Sequence, residues 1–244
     1  MPGSAPAPSS MSEVGRLAGI FWEPRPVFQD LAARPRFWVP LILMTLLSVV
    51  LVAAFSRIVG FEAMARRQID ASPRTAEMPA EQRERAIQMG MRFAVPSAYG
   101  GAAIGFTVMA LVVAGVLLGS VNLFGGVKLR YPQAFSITCY SFLPSGLGTI
   151  LALVVLLLKD PADFDLQNPL PLNLGAFLDR SAVGGFLHSL AGSIDLFSFW
   201  VILLLALGFS TAARKMPFGK ALVLVLLPWG AYVLVKSALV GIMG

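Results

Sequence analysis

Among 244 residues the chain has one cysteine, Cys139, and one histidine, His188. A lone thiol excludes an internal disulfide and any cysteine-based metal cluster. A lone histidine has no second His or Cys to complete a metal site. Cys139 falls inside an apolar run and reads as a small packing residue. The catalytic signatures HExxH, GxSxG and GxxxxGK[ST] are missing, and the apolar segments offer a serine no base. The chain therefore reads as a non-enzyme without catalytic, cofactor or metal residues. No basic stripe interleaved with aromatics occurs, so nucleic acid is not an expected partner. Charge is scarce as well: 13% of residues are charged against 57% hydrophobic, too few to coat a soluble fold of this size.

What is present is long charge-free runs. None of the four charged types occurs between Arg92 and Lys128 or between Arg130 and Lys159, and only Asp195 lies between Arg180 and Arg214. A hydrocarbon core about 30 Å thick takes roughly 20 apolar residues of helix to cross, and each run is long enough. The pattern predicts an all-α polytopic membrane protein, a bundle of five transmembrane helices. The spans fall at about 37–56, 97–123, 135–158, 193–213 and 218–242, within a membrane domain over 37–244. Residues 181–194 are apolar enough to extend the fourth span or to lie on the surface.

Residues 1–10 are rich in Pro, Ala and Ser and have no apolar core. They read as a disordered lead-in rather than a signal peptide, with Met11 an alternative start. In residues 11–36, Val14, Leu17, Ala18 and Phe21 mark one helical face, with Glu13 and Arg16 elsewhere on the turn. After the break Glu23-Pro24-Arg25-Pro26, a second face follows in Val27, Phe28 and Leu31. Two short amphipathic pieces beside a span predict helices lying at the cytoplasmic membrane interface.

Orientation follows from Lys and Arg. One side collects Arg16, Arg25, Arg34 and Arg36, then Lys128 and Arg130, then Arg214, Lys215 and Lys220. On the other, the 159–193 loop has Asp160, Asp163, Asp165 and Asp179 outnumbering Lys159 and Arg180. This places the N-terminus in the cytoplasm and the C-terminus outside. The 57–92 loop argues the other way with its seven arginines, but three short loops outweigh one longer one. Within that loop, Pro79 opens the helix-forming run Ala80-Glu81-Gln82-Arg83-Glu84-Arg85. Span one is expected to continue past Arg57 toward Ile69 until Ser72-Pro73 breaks it, giving a helical hairpin that rises from the membrane.

Inside the spans, Pro144 and Pro228 each remove a helix hydrogen bond and free the carbonyls of Tyr140 and Leu224. Both sit about ten residues into parallel spans, so the kinks should share a depth. Gly101, Gly105, Gly115 and Gly119 fall within about 40° of one direction on span two, a stripe suited to close helix packing. Asp195 and Lys236 are the charges left toward the outer leaflet, a candidate intramembrane pair joining spans four and five directly or through water.

The motifs resemble a known family. Tyr131-Pro132-Gln133-Ala134-Phe135 followed by Cys139-Tyr140-Ser141-Phe142-Leu143-Pro144 is similar to the Tyr-x-x-x-Pro third span of the Yip family of Ypt/Rab-interacting membrane proteins. The run Ile194-Asp195-Leu196-Phe197-Ser198-Phe199-Trp200, continuing to Leu207-Gly208-Phe209-Ser210, resembles the fourth span of bacterial members. Phe21 to Trp38 looks like their lead-in, and Gly219-Lys220-Ala221 like the start of their last span. The resemblance implies five spans with the N-terminus cytoplasmic, here in a bacterial inner membrane. Eukaryotic relatives bind prenylated Rab-type GTPases. This chain lacks their acidic Asp-Leu-Tyr-Gly-Pro segment, so Rab-type binding does not carry over. The expected function is a non-enzymatic scaffold or adaptor in membrane organisation or envelope transport, with membrane lipids and other membrane proteins or itself as partners. The alternative is a small transporter or channel built on the kinked spans three and five with Asp195.

Overall fold

The computed structural model describes residues 11–70, 78–161, 164 and 169–243. Ten α-helices are described: α1 (Glu13–Trp22), α2 (Pro24–Ala33), α3 (Trp38–Ile58), α4 (Phe61–Asp70), α5 (Ala80–Gly125), α6 (Tyr131–Ser141), α7 (Leu143–Leu158), α8 (Arg180–Gly192), α9 (Leu196–Ala212) and α10 (Phe218–Met243). The expected lead-in over 1–10, the Ser72-Pro73 break and the acids Asp163 and Asp165 lie outside the described residues.

Four helical stretches are long and apolar enough to cross a membrane: Trp38–Ile58, Ala80–Gly125, Tyr131–Leu158 and Phe218–Ile242. The apolar helix α9 has 17 residues and is about 25 Å long. Phe142, in the turn between α6 and α7, stands two residues before Pro144, which occupies the first turn of α7. There its missing N–H costs nothing, so the proline divides the third stretch into two helices. Pro228 instead lies inside α10, which runs on without interruption.

The loop after span one differs from the expected continuous helix. α3 stops at Ile58, because Gly60 takes a left-handed conformation (φ 79°) that ends the turn, and α4 starts afresh at Phe61. α5 then begins at Ala80 and passes through Pro96 to Gly125, 46 residues and about 69 Å long. The expected second span, 97–123, lies within this helix. Pro96 is exposed and costs the helix one hydrogen bond, which the long flanking runs absorb. The first turns of α5 pack on α4, where Arg66 bridges Glu62 at 2.8 Å and Glu84 at 2.9 Å. That hairpin exceeds what about 30 Å of hydrocarbon can hold and stands beyond the spans.

Residues 181–194 do not extend α9; apart from Ser193 those with a described burial are exposed or half-buried at the surface of the bundle. They lie mostly in α8, bent at Gly184 (φ 78°), which packs along α10. A Cβ on Gly241 would sit 3.0 Å from the Phe186 Cβ, so the two backbones approach closely.

Besides a smaller second cluster of Phe55, Val59, Leu156 and Phe164, the main core runs through the bundle. α6 lies at its middle: every residue from Ala134 to Ser141 is buried. Around it, Ala110, Ala114 and Val121 of α5, Ala206 and Phe209 of α9, and Val225 of α10 are almost fully covered. Val27, Phe28 and Leu31 of α2 are as inaccessible, which sets where the N-terminal helices sit.

Candidate functional site

Ser12 caps α1 by accepting from the Gly15 N–H, which fixes the first turn and puts Glu13 and Arg16 on one side. The Arg16 guanidinium is 1% exposed. Its Nη1 donates to Glu13 Oε1 at 2.7 Å, and its Nε donates to Asp30 Oδ2 of α2 at 2.7 Å. Glu13 Oε2 accepts from the Tyr140 hydroxyl of α6 at 2.8 Å, and Arg36 reaches Glu13 Oε1 at 3.2 Å. α1 packs where α6 gives way to α7, within reach of the Tyr140 hydroxyl. Gln133 Nε2 also donates to the Ala32 carbonyl at 2.7 Å, a second tie between α6 and the end of α2.

A buried guanidinium is tolerable only when its donors are matched and its charge compensated. Burial lowers the Arg16 pKa. The hydrogen bond and charge of Asp30, with the charge of Glu13, outweigh burial and raise it above the ordinary arginine value. The stabilisation tied to the arginine charge is therefore present in full at physiological pH and is lost in strong alkali, as pH rises through the raised value.

The apolar half of the docking is set by Gly208. A Cβ there would lie 2.5 Å from Ile137 Cγ2 and 3.0 Å from two ring carbons of Phe28. The missing side chain lets α2, α6 and α9 meet at one point. Gly208 thus joins the Arg16 cluster as part of one mechanical unit. Neither was legible as such in the sequence. The available signals were the i,i+3 spacing of Glu13 and Arg16 and the small residue within Leu207-Gly208-Phe209.

The residues singled out from sequence are distributed as follows. The carbonyl of Leu224, freed by Pro228, accepts from Ser120 Oγ of α5 at 3.0 Å. Tyr140 lies just before the Pro144 kink and holds Glu13. Asp195 caps α9, accepting from the N–H groups of Phe197 (2.9 Å) and Ser198 (3.0 Å) and from the Ser198 hydroxyl. Lys236 donates to Ser193 Oγ at 2.7 Å. Asp195 and Lys236 are thus neighbours through the 193–195 turn, and no direct ion pair joins them among the described residues. Gly101, Gly105 and Gly119 have open space where a Cβ would point, and Gly115 has only a Tyr131 ring carbon at 4.0 Å. Beyond Pro96, the buried residues of α5 (Ala102, Phe106, Ala110, Ala114, Leu117 and Val121) centre about 165° away, so the glycine stripe faces out of the chain.

A central span split at a Tyr-x-x-x-Pro sequence, enclosed by apolar helices and docked on its own N-terminal helices, is the arrangement into which the quoted motifs fall. Residues 18–239 match the model of the Yip1 domain. The chain belongs to the Yip1 domain family. No curated protein and no solved structure matches it. The matched Yip1 domain begins in α1 and ends in α10, so the docked helices and the kinked span belong to one unit. As a Yip1-domain chain with several membrane-crossing helices, it is an integral membrane protein. Among the described residues of this Yip1 domain, no group of three or more His, Cys, Asp or Glu could hold a metal ion.

Proposed function

We propose that this Yip1-domain protein is a non-enzymatic membrane adaptor with five spans, α9 being the fourth. Its N-terminus and the α1–α2 pair lie at the cytoplasmic face of a bacterial inner membrane, its C-terminus lies outside, and it acts by holding protein partners in membrane organisation or envelope transport. The carrying observation is the make-up of the packed interior. The buried face of α9 is Val201, Ile202, Leu204, Leu205, Ala206, Gly208 and Phe209, with no polar side chain to line a path. At 17 residues, α9 is at the short end of what spans a bilayer. The orientation is supported by adjacency: residues 126–129 and 212–215, which carry Lys128, Arg214 and Lys215, line one cleft. Rab-type GTPase binding is not part of the proposal.

One observation favours the rival transporter or channel. The hydroxyls of Thr138 and Ser141, buried beside the Pro144 kink, have no hydrogen-bond partner among the described residues. Affinity purification of the intact membrane complex separates the two readings. A stable stoichiometric protein partner supports the adaptor, whereas solute flux by the purified chain alone in liposomes would replace it with the transporter. For topology, a C-terminal alkaline phosphatase fusion should be active and a cytoplasm-dependent fluorescent fusion dark; the reverse would overturn the five-span orientation.

A further inference from the structure

Where α5 and α9 end, the chain makes two tight turns that enclose an open cleft of about 390 Å³, walled by residues 126–129 on one side and 212–215 on the other. The first wall is held. Gly126 turns through a left-handed conformation (φ 72°), and Asn122 clamps Leu129 twice, accepting from its N–H at 2.9 Å and donating to its carbonyl at 3.1 Å. Lys220 Nζ donates to the Gly125 carbonyl at 3.2 Å and ties the start of α10 to the end of α5.

Three cations line this cleft, Lys128, Arg214 and Lys215. None makes an ion pair among the described residues, although Arg16, Arg36, Arg66, Arg83 and Arg85 all do. The sequence supplies no local counter-charge: Asp and Glu are absent from 85–159 and from 196–244. Three like charges around one concavity, only partly offset by the carbonyl ends of α5 and α9, make its potential positive. Its depth in the bilayer selects the anion. In the last turn of α5, two to three residues before Gly126, the apolar side chains of Leu123 (78%) and Phe124 (68%) are exposed, which suits acyl chains if this end of the helix meets a bilayer surface. A ligand with a phosphate at the cleft and hydrocarbon beside those residues satisfies both halves.

We infer that this cleft binds the phosphate of an anionic phospholipid, in preference to a zwitterionic one, whose headgroup ammonium would meet only cations there. The inference needs the ends of α5 and α9 to lie at a bilayer surface; it does not need the adaptor role.

The test is native mass spectrometry of the full-length, delipidated protein in detergent. Dioleoylphosphatidylglycerol and dioleoylphosphatidylcholine are supplied at equal mole fraction, in the presence and absence of millimolar inorganic phosphate. The expected result is preferential retention of one phosphatidylglycerol per chain. Retention should fall about fivefold for each of Lys128→Gln, Arg214→Gln and Lys215→Gln. As charge-matched controls, Arg57→Gln, Arg92→Gln and Lys159→Gln each remove one cation elsewhere and should retain the lipid. Equal retention of phosphatidylcholine, or an equal loss in the controls, would overturn the site. Displacement of the lipid by inorganic phosphate would overturn its lipid source and assign the cleft to soluble phosphate.

Discussion

Two arginines hold nearly the same geometry at different places in the chain. Arg16 lies 2.7 Å from Glu13 and also bridges Asp30; Arg66 lies 2.8 Å from Glu62 and 2.9 Å from Glu84. Each joins its own helix to a neighbour. The difference is water. The Arg16 side chain is 1% exposed, whereas Arg66, Glu62 and Glu84 are 45%, 60% and 44% exposed. A solvated pair gains little over its separate hydrated ions. A buried one is modest as a net contribution but severe to break, because whatever is left cannot return to water. Identical distances therefore carry different consequences, and the α1–α2 dock depends on its charges in a way the α4–α5 hairpin does not.

The comparison breaks most sharply at Arg16. Arg16→Met should lower unfolding stability by about 3 kcal/mol, the low end for a broken buried pair because Glu13 and Asp30 keep some solvent. Thermal unfolding in detergent, followed by tryptophan fluorescence, reads this directly. Adding Asp30→Asn should recover part of the loss, and a strictly additive double variant would argue against a coupled pair.

Gly208→Ala tests the apolar half of the dock. Placing a methyl group 2.5 Å from Ile137 Cγ2 should cost about 1–3 kcal/mol. It should also raise hydrogen exchange in α2, because Phe28 must move. Exchange unchanged in α2 would show that the gap is taken up elsewhere.

At the opposite end, Asp195→Asn weakens the cap of α9, and Lys236→Met leaves Ser193 without its donor. Each should lower folded yield in detergent by an amount in keeping with about 1 kcal/mol. If the 193–195 turn couples them, the double variant recovers part of the yield. Independent losses would separate the cap from the lysine.

Ser120→Ala has a smaller expected effect, about 0.6 kcal/mol, since it strands the Leu224 carbonyl in a place where the backbone can adjust. Smallest is Arg66→Gln, which should leave the melting temperature unchanged within error. A clear drop there would mean that the exposed hairpin is tied down as firmly as the N-terminal dock.

The membrane-crossing helices and their chemistry were legible in the sequence because the penalty for a charge in hydrocarbon is set residue by residue. Any run from Arg92 to Lys128 must be read the same way wherever its neighbours lie. Pro144 could likewise be read as an interruption, since a missing N–H is a local fact. Which face of a span meets protein was not legible. Lipid chains are as apolar as leucine, so hydropathy cannot distinguish a side chain packed on another helix from one packed on the bilayer. The glycine stripe of α5 shows the consequence: its spacing predicts close packing on a helix of this chain or another, and only the fold shows that within this chain it faces outward while Ala110 and Ala114 hold the interior. Arg16 shows the converse. Composition alone made it one more cytoplasmic cation, and the packing of α1 on α2 and on the distant α6 made it a buried one. Burial is a property of the assembled bundle, fixed by contacts such as Tyr140 with Glu13, 127 residues apart, that no local pattern encodes.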